Sequence, residues 1–121
     1  MKRFFIPIIC LALAACAAPR PDPAIFDAAA AAIERAEAMG GDEFAPVEMR
    51  FAREKLASAE LGMEKQKYDV AVYLMEESEI NAELAIEKSR TAKSRRAVNE
   101  QRKINQELEE RLKATYGDEF K

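Results

Sequence analysis

Lys88, Arg90, Lys93, Arg95, Arg96, Arg102 and Lys103 lie in one stretch that holds a single acid, Glu100. Cations at this density can hold anions: lipid headgroups, lipopolysaccharide, acidic peptidoglycan or an acidic protein partner. No aromatic interleaves the charges, so the plainer expectation is a solvated helix surface and anion docking the alternative. Upstream, Glu76, Glu77, Glu79, Glu83 and Glu87 form an acidic run. Steps of three and four set Glu76, Glu79, Glu83 and Glu87 along one helix flank. Hard cations favour such oxygens, but nothing resembles a calcium loop, so a solvated face is expected here too. Histidine is absent, which removes the commonest general base and the commonest metal ligand. No motif pairs a serine or threonine with a lysine or carboxylate base. The expectation is a non-enzyme with no catalytic residue, no cofactor and no metal.

The N-terminus carries Lys2 and Arg3 and then an apolar run from Phe4 to Leu13. That is the charged and apolar part of a secretory signal, too short for a bilayer-spanning helix of ~20 residues. Leu13-Ala14-Ala15-Cys16 resembles the lipobox of bacterial lipoproteins: a leucine, two small residues, a cysteine. The resemblance implies cleavage before Cys16, a diacylglycerol thioether on its sulfur and acylation of the new amino group. Three acyl chains would make a near-permanent anchor, each buried methylene contributing ~0.8 kcal/mol. Cys10 does not compete, because cutting there would leave almost no apolar run. Ala17 and Ala18 follow the cysteine where an aspartate would favour inner-membrane retention, which implies the outer membrane with the body in the periplasm. Nucleic acid is then a poor partner for the basic stretch.

Cleavage would remove Lys2 and Arg3 and take the formal net charge from -3 to -5. Cys10 would leave and Cys16 would be acylated, so no thiol or disulfide is expected in residues 16–121. Alanine, glutamate, lysine, arginine and leucine dominate, glycine is scarce and tryptophan absent. This is the composition of long helices, and no strand-like alternation occurs anywhere.

The residues before the helices, Ala17-Ala18-Pro19-Arg20-Pro21, read as a stiff extended tether. Asp22-Pro23 reads as a helix start, with Asp22 the cap and Pro23 in the first turn. The first helix should run to about Met39, presenting Phe26, Ala30, Ile33 and Ala36, and stop at Gly40-Gly41. A second helix should begin near Pro46, with Met49, Ala52, Leu56, Ala59 and Met63 inward and Gly62 weakening its end. After a short polar turn, Asp69 is a candidate cap for a third helix, with Ala71, Met75, Ser78, Ala82, Ala85, Ser89 and Ala92 stepping by three and four. Glycine and proline are absent from Asp69 until Gly117, which allows one helix of about 70 Å at ~1.5 Å per residue. From Lys88 onward the large aliphatics are Val98, Ile104, Leu108 and Leu112, a stripe too short for a convincing coiled coil. The second half of this helix should project as a solvated, charged arm or fray toward the tail.

Ala32-Ile33-Glu34-Arg35-Ala36, Glu43-Phe44-Ala45-Pro46, Ala52 through Ala59 and Tyr68-Asp69-Val70-Ala71 together resemble domain of unknown function 4398, found on bacterial, mostly Gram-negative, lipoproteins. The resemblance spans roughly residues 24–92. It implies a small helical, hairpin-like body with small-residue packing and no assigned chemistry. Some members continue into an OmpA-like peptidoglycan-binding domain; the charged segment after Ala92 is far too short for one. Ala52-x-x-x-Leu56-x-x-Ala59 and Tyr68-x-x-Ala71 are also faintly like a tetratricopeptide unit, with alanines permitting close helix contact.

The expected organisation is therefore a signal at 1–15, a lipidated cysteine and tether at 16–22, a helical body at 23–92 and a charged arm and tail at 93–121. The fold class expected is all-α: a three-helix body whose last helix extends beyond it. The expected role is an outer-membrane lipoprotein facing the periplasm, acting as a structural or protein-interaction module, its partner a protein or the cell wall. The alternative is an electrostatic binder of anionic envelope components through Lys88–Lys103. Lys121 invites comparison with helical lipoproteins joined to peptidoglycan through a final lysine. The acidic Asp118-Glu119 beside it is unlike their basic tails, so an ordinary charged terminus is expected.

Overall fold

A computed structural model describes residues 20–117; the leader with Cys16, and the tail with Lys121, lie outside the described residues. Four helices follow one another: α1, Ala24–Ala38; α2, Gly41–Phe44; α3, Pro46–Glu64; and α4, Tyr68–Tyr116. There is no strand among the described residues. The chain is all-α, with a last helix that outruns the body.

Local chemistry sets the boundaries. Asp22 Oδ1 accepts a 3.0 Å hydrogen bond from the Ala24 N–H, filling one free donor at the start of α1. α1 is rich in alanine, the strongest helix former. It ends where Gly40 turns left-handed (φ 82°) and donates its N–H to the Glu37 carbonyl. The same carbonyl-rich corner starts α2, a single turn, because Gly40 O accepts from both Glu43 and Phe44 N–H. Ala45 then leaves the helical region (φ -145°), as the residue before a proline tends to, and Pro46 opens α3.

Asp69 does not cap α4. The helix begins one residue earlier, at Tyr68, because the Lys67 carbonyl already accepts from the Ala71 N–H at 2.9 Å. Asp69 sits instead inside the first turn, where its charge favours the helix N-terminus. The turn before it is closed by Lys67 N–H donating to the Gly62 carbonyl, with Gln66 held at φ 57°.

The core is built of small side chains. Among the described residues twelve hydrophobics are buried, and nine of them are alanine, the others being Ile33, Met49 and Met75, so the helices can approach closely. α1 buries Ala29, Ala32, Ile33 and Ala36, leaving Phe26 and Ala30 only half-buried. Its inward face is thus turned by about one residue from the bulky stripe Phe26, Ala30, Ile33 and Ala36, because the flat alanine side permits the closer contact. α3 buries Met49, Ala52, Ala59 and Gly62, with Leu56 and Met63 partly covered. Gly62 does more than weaken α3: a Cβ there would lie 3.2 Å from the Ala71 Cβ. It is a crossing point.

α4 buries Ala71, Met75, Ser78, Ala82, Ala85 and Ser89, and nothing beyond Ser89. One cluster joins Ala29, Ala59, Ala71 and Met75; a second joins Ala32, Ile33, Ala36, Met49, Ala52, Ala82 and Ala85. α1 therefore runs parallel to α4 and antiparallel to α3. The start of α1 lies beside the α3–α4 turn, and the free part of α4 leaves from the opposite end of the body.

Candidate functional site: the basic half of the long helix

The base of the arm is tied to the body by contacts that local patterns do not reveal. Lys88 Nζ donates to Glu48 Oε1 on α3. The Glu48 side chain is only 13% exposed, and the Lys88 hydrogen bond holds its carboxyl below the usual range. Lys93 lies over the Phe44 ring, 5.8 Å from its centroid, a cation–π contact supplied by the one-turn α2. Arg96 comes within 3.6 Å of Glu43 on the same turn. Arg90 pairs along its own helix with Glu87, at 2.8 Å.

Arg95, Arg102 and Lys103 differ. None has an acidic partner among the described residues. Lys88, Arg95 and Arg102 are seven residues apart, so they fall on one line along the helix, with Thr91 and Asn99 between them. The stretch is thus not uniform. Three cations brace the arm against the body, Arg90 pairs within its own helix, and three face solvent without an acidic partner among the described residues.

Two open hollows border that line. The larger, about 900 Å³, is walled by Phe44, Leu84, Lys88, Arg95, Asn99 and Lys103 among others. The second, about 510 Å³, lies toward Arg90, Ser94, Val98 and Arg102. Both are grooves rather than enclosed chambers. They offer guanidinium, ammonium and amide donors over an apolar floor, which suits a carboxylate- or phosphate-bearing surface. Glu76, Glu79, Glu83 and Glu87 do not converge, and no acidic group able to hold a metal ion exists among the described residues.

Away from the arm, Arg53 bridges α1 and α2: it donates to Glu37 at 2.7 Å and to both carboxylate oxygens of Asp42, at 2.8 and 3.0 Å. The Arg53 hydrogen bonds lower the Asp42 pKa. Lys55 donates to Glu77, which also accepts from Tyr73 at 2.7 Å. These ties link α3 to α1, α2 and α4. Phe44 and Glu48, which hold the base of the arm, are the contact residues the sequence pattern misses. The available signal was a lone aromatic in a short connection and an acid one turn into α3.

The family model described as a domain of unknown function, DUF4398, matches residues 24–101. The chain belongs to this family. In DUF4398 terms the match takes in α1, α2, α3 and α4 as far as Gln101, so it covers the body and the basic start of the arm. No curated protein and no solved structure is similar enough to match. What the DUF4398 body contributes is a rigid base from which the rest of α4 projects.

Proposed function

We propose that the protein is a lipoprotein of the cell envelope, anchored at the outer membrane through Cys16, whose body holds a helical arm out into the periplasm for a protein or cell-wall partner. The observation that carries this reading is directional. The start of α1, only a few residues after the proposed lipid, lies at one end of the body beside the α3–α4 turn, whereas the arm leaves from the other end. A lipid so few residues before α1 would put the anchor toward the end of the body opposite the arm, and α4 alone measures about 70 Å at ~1.5 Å per residue. Its role is positioning and not turnover. The lipobox-like Leu13-Ala14-Ala15-Cys16 supports the address. No helix among the described residues is long and apolar enough to cross a membrane.

Fractionation of cells with Cys16→Ser tests it. The parent should sediment with outer membranes and carry acyl mass on Cys16; the variant should lose that mass and leave the outer-membrane fraction. An unacylated Cys16 in the parent would overturn the anchor.

The unpaired Arg95, Arg102 and Lys103 favour a second reading, electrostatic holding of anionic glycan or lipid. Binding to isolated sacculi or anionic vesicles should then fall steeply with salt and disappear in Arg95→Gln/Arg102→Gln/Lys103→Gln. Binding that ignores both salt and those substitutions would rule it out.

A further inference from the structure

α4 presents a second, unpartnered face on the side away from the body. Nine large apolar residues of α4 are exposed, and seven of them share one heptad register. Val70, Leu84, Val98 and Leu112 are whole multiples of seven apart. Tyr73, Ile80 and Leu108 occupy the companion position three residues on. The first set takes the a positions of a heptad and the second the d positions. Ile80 is 62% exposed and Leu108 is 51%. All six buried residues of α4 fall at b and f, on the far side of the helix. The helix therefore carries two seams: the inner is filled by α1 and α3, and the outer is open except where Lys55 of α3 reaches Glu77.

We infer that the outer seam of α4 pairs with the same seam of a second copy, parallel and in register. The seam's own composition selects the occupant. Stacked in register, every apolar seam residue meets its own kind. Run antiparallel over the full helix, the same seam sets Val98 against Glu87, Leu108 against Glu77 and Asn105 against Ile80. The two seam carboxylates are already engaged within their own chain, Glu77 by Lys55 and Tyr73 and Glu87 by Arg90.

Asn105 occupies an a position, bonded at 3.2 Å to Gln101. One asparagine at a is the device that fixes register and two strands at a cost in stability. Along the flanks, Glu83 (g) faces Lys88 (e) of the copy, while Arg90 faces Arg95. One pair attracts and the other repels, so the apolar seam and not the charge supplies the affinity. The body packs on the b and f side of α4, away from the a and d seam. Copies anchored on one leaflet point their arms the same way, as the parallel arrangement requires, but the pairing rests on the seam and does not need the anchor.

The test uses the full chain with Cys10→Ser and Cys16→Ser in a mild nonionic detergent, adding one cysteine at a time. Leu108→Cys meets its own copy across a d layer, at a spacing a disulfide can bridge. Glu107→Cys, at c, points away. Air oxidation should link Leu108→Cys at least about tenfold faster than Glu107→Cys, because pairing raises the local thiol concentration. Equal rates, or no disulfide, would overturn the inference. A mixture of Val98→Cys and Glu87→Cys chains that links faster than Leu108→Cys would overturn the parallel register. In sedimentation the cysteine-free chain should show a monomer–dimer equilibrium that Ile80→Lys/Leu108→Lys weakens by about a hundredfold, at roughly tenfold per seam layer. Both residues are exposed in the monomer, so helix content should not change. A parent that stays monomeric up to millimolar concentration sinks the proposal.

Discussion

Ser78 Oγ donates a 2.8 Å hydrogen bond to the Ala52 carbonyl oxygen, with both residues fully buried where α4 crosses α3. The hydroxyl lets a polar residue sit fully buried in an alanine core. Ser78→Ala keeps the volume and gives up one neutral hydrogen bond, so unfolding by urea should show a loss of about 1 kcal/mol. Ser78→Leu must push the helices apart, and overpacking of this kind costs about 1–3 kcal/mol or more. A leucine variant as stable as the alanine variant would mean that the crossing is looser than described.

Glycine is required at Gly41 and favoured, by a tight but less severe contact, at Gly62. A Cβ on Gly41 would stand 2.8 Å from the Ala36 carbonyl oxygen and 2.7 Å from the Met49 sulfur. The carbonyl is backbone and cannot step aside. A Cβ on Gly62 would meet only the Ala71 Cβ and backbone, at 3.2 Å and beyond, while gaining about 0.5–1 kcal/mol from reduced chain entropy. Gly41→Ala should lower the melting temperature by several degrees, on the order of 4–8 °C per kcal/mol for a domain this size. Gly62→Ala should shift it by much less. Equal shifts would contradict the geometry.

How much of this was legible follows from where the information sits. The inner seam of α4, from Ala71 to Ser89, is readable because five small residues and Met75 repeat at helical spacing between charged ones. Gly40-Gly41 and Pro46 are readable as stops and starts because their backbone chemistry is local. The α1 face is misjudged by about one residue because alanines on every side leave only Phe26 and Ile33 to mark a direction. The one-turn α2 is too short to have a period. Lys88 with Glu48, and Lys93 with Phe44, are pairings across long stretches of chain, and no local pattern encodes them. They divide the basic stretch into bracing and free cations.

Acid should loosen the body. Lys88 depresses the pKa of Glu48, Arg53 that of Asp42, and Lys55 with Tyr73 that of Glu77. A carboxylate with a folded pKa below its unfolded value contributes stability that is present above the unfolded pKa and lost as pH falls through the folded one. With ordinary values of 4.5 for glutamate and 3.8 for aspartate, the melting temperature should hold steady above about pH 5 and fall toward pH 3. Glu48→Gln should flatten part of that decline, more than Asp42→Asn does, because the Glu48 side chain is the better shielded. An unchanged profile in Glu48→Gln would remove the Lys88 tie from the account.

Hydrogen exchange should separate the two halves of α4. From Tyr68 to Ser89 the amides belong to a helix packed on two neighbours, so their opening requires the body to unfold. Beyond Lys93 every described residue is exposed, and that part gains no burial from the body. Most helix stability in proteins comes from packing, which this part lacks. The arm is helped because propagation from the packed half avoids a separate nucleation, and by local contacts such as Thr115 donating to the Arg111 carbonyl at 2.8 Å. In dilute, monomeric chain, protection should fall continuously from Ser89 toward Tyr116, with arm amides exchanging at least about a hundredfold faster than those of Met75 to Ala85. Protection that stays level to Leu112 in the dilute monomer would show that the arm is held by contacts beyond those of its own helix.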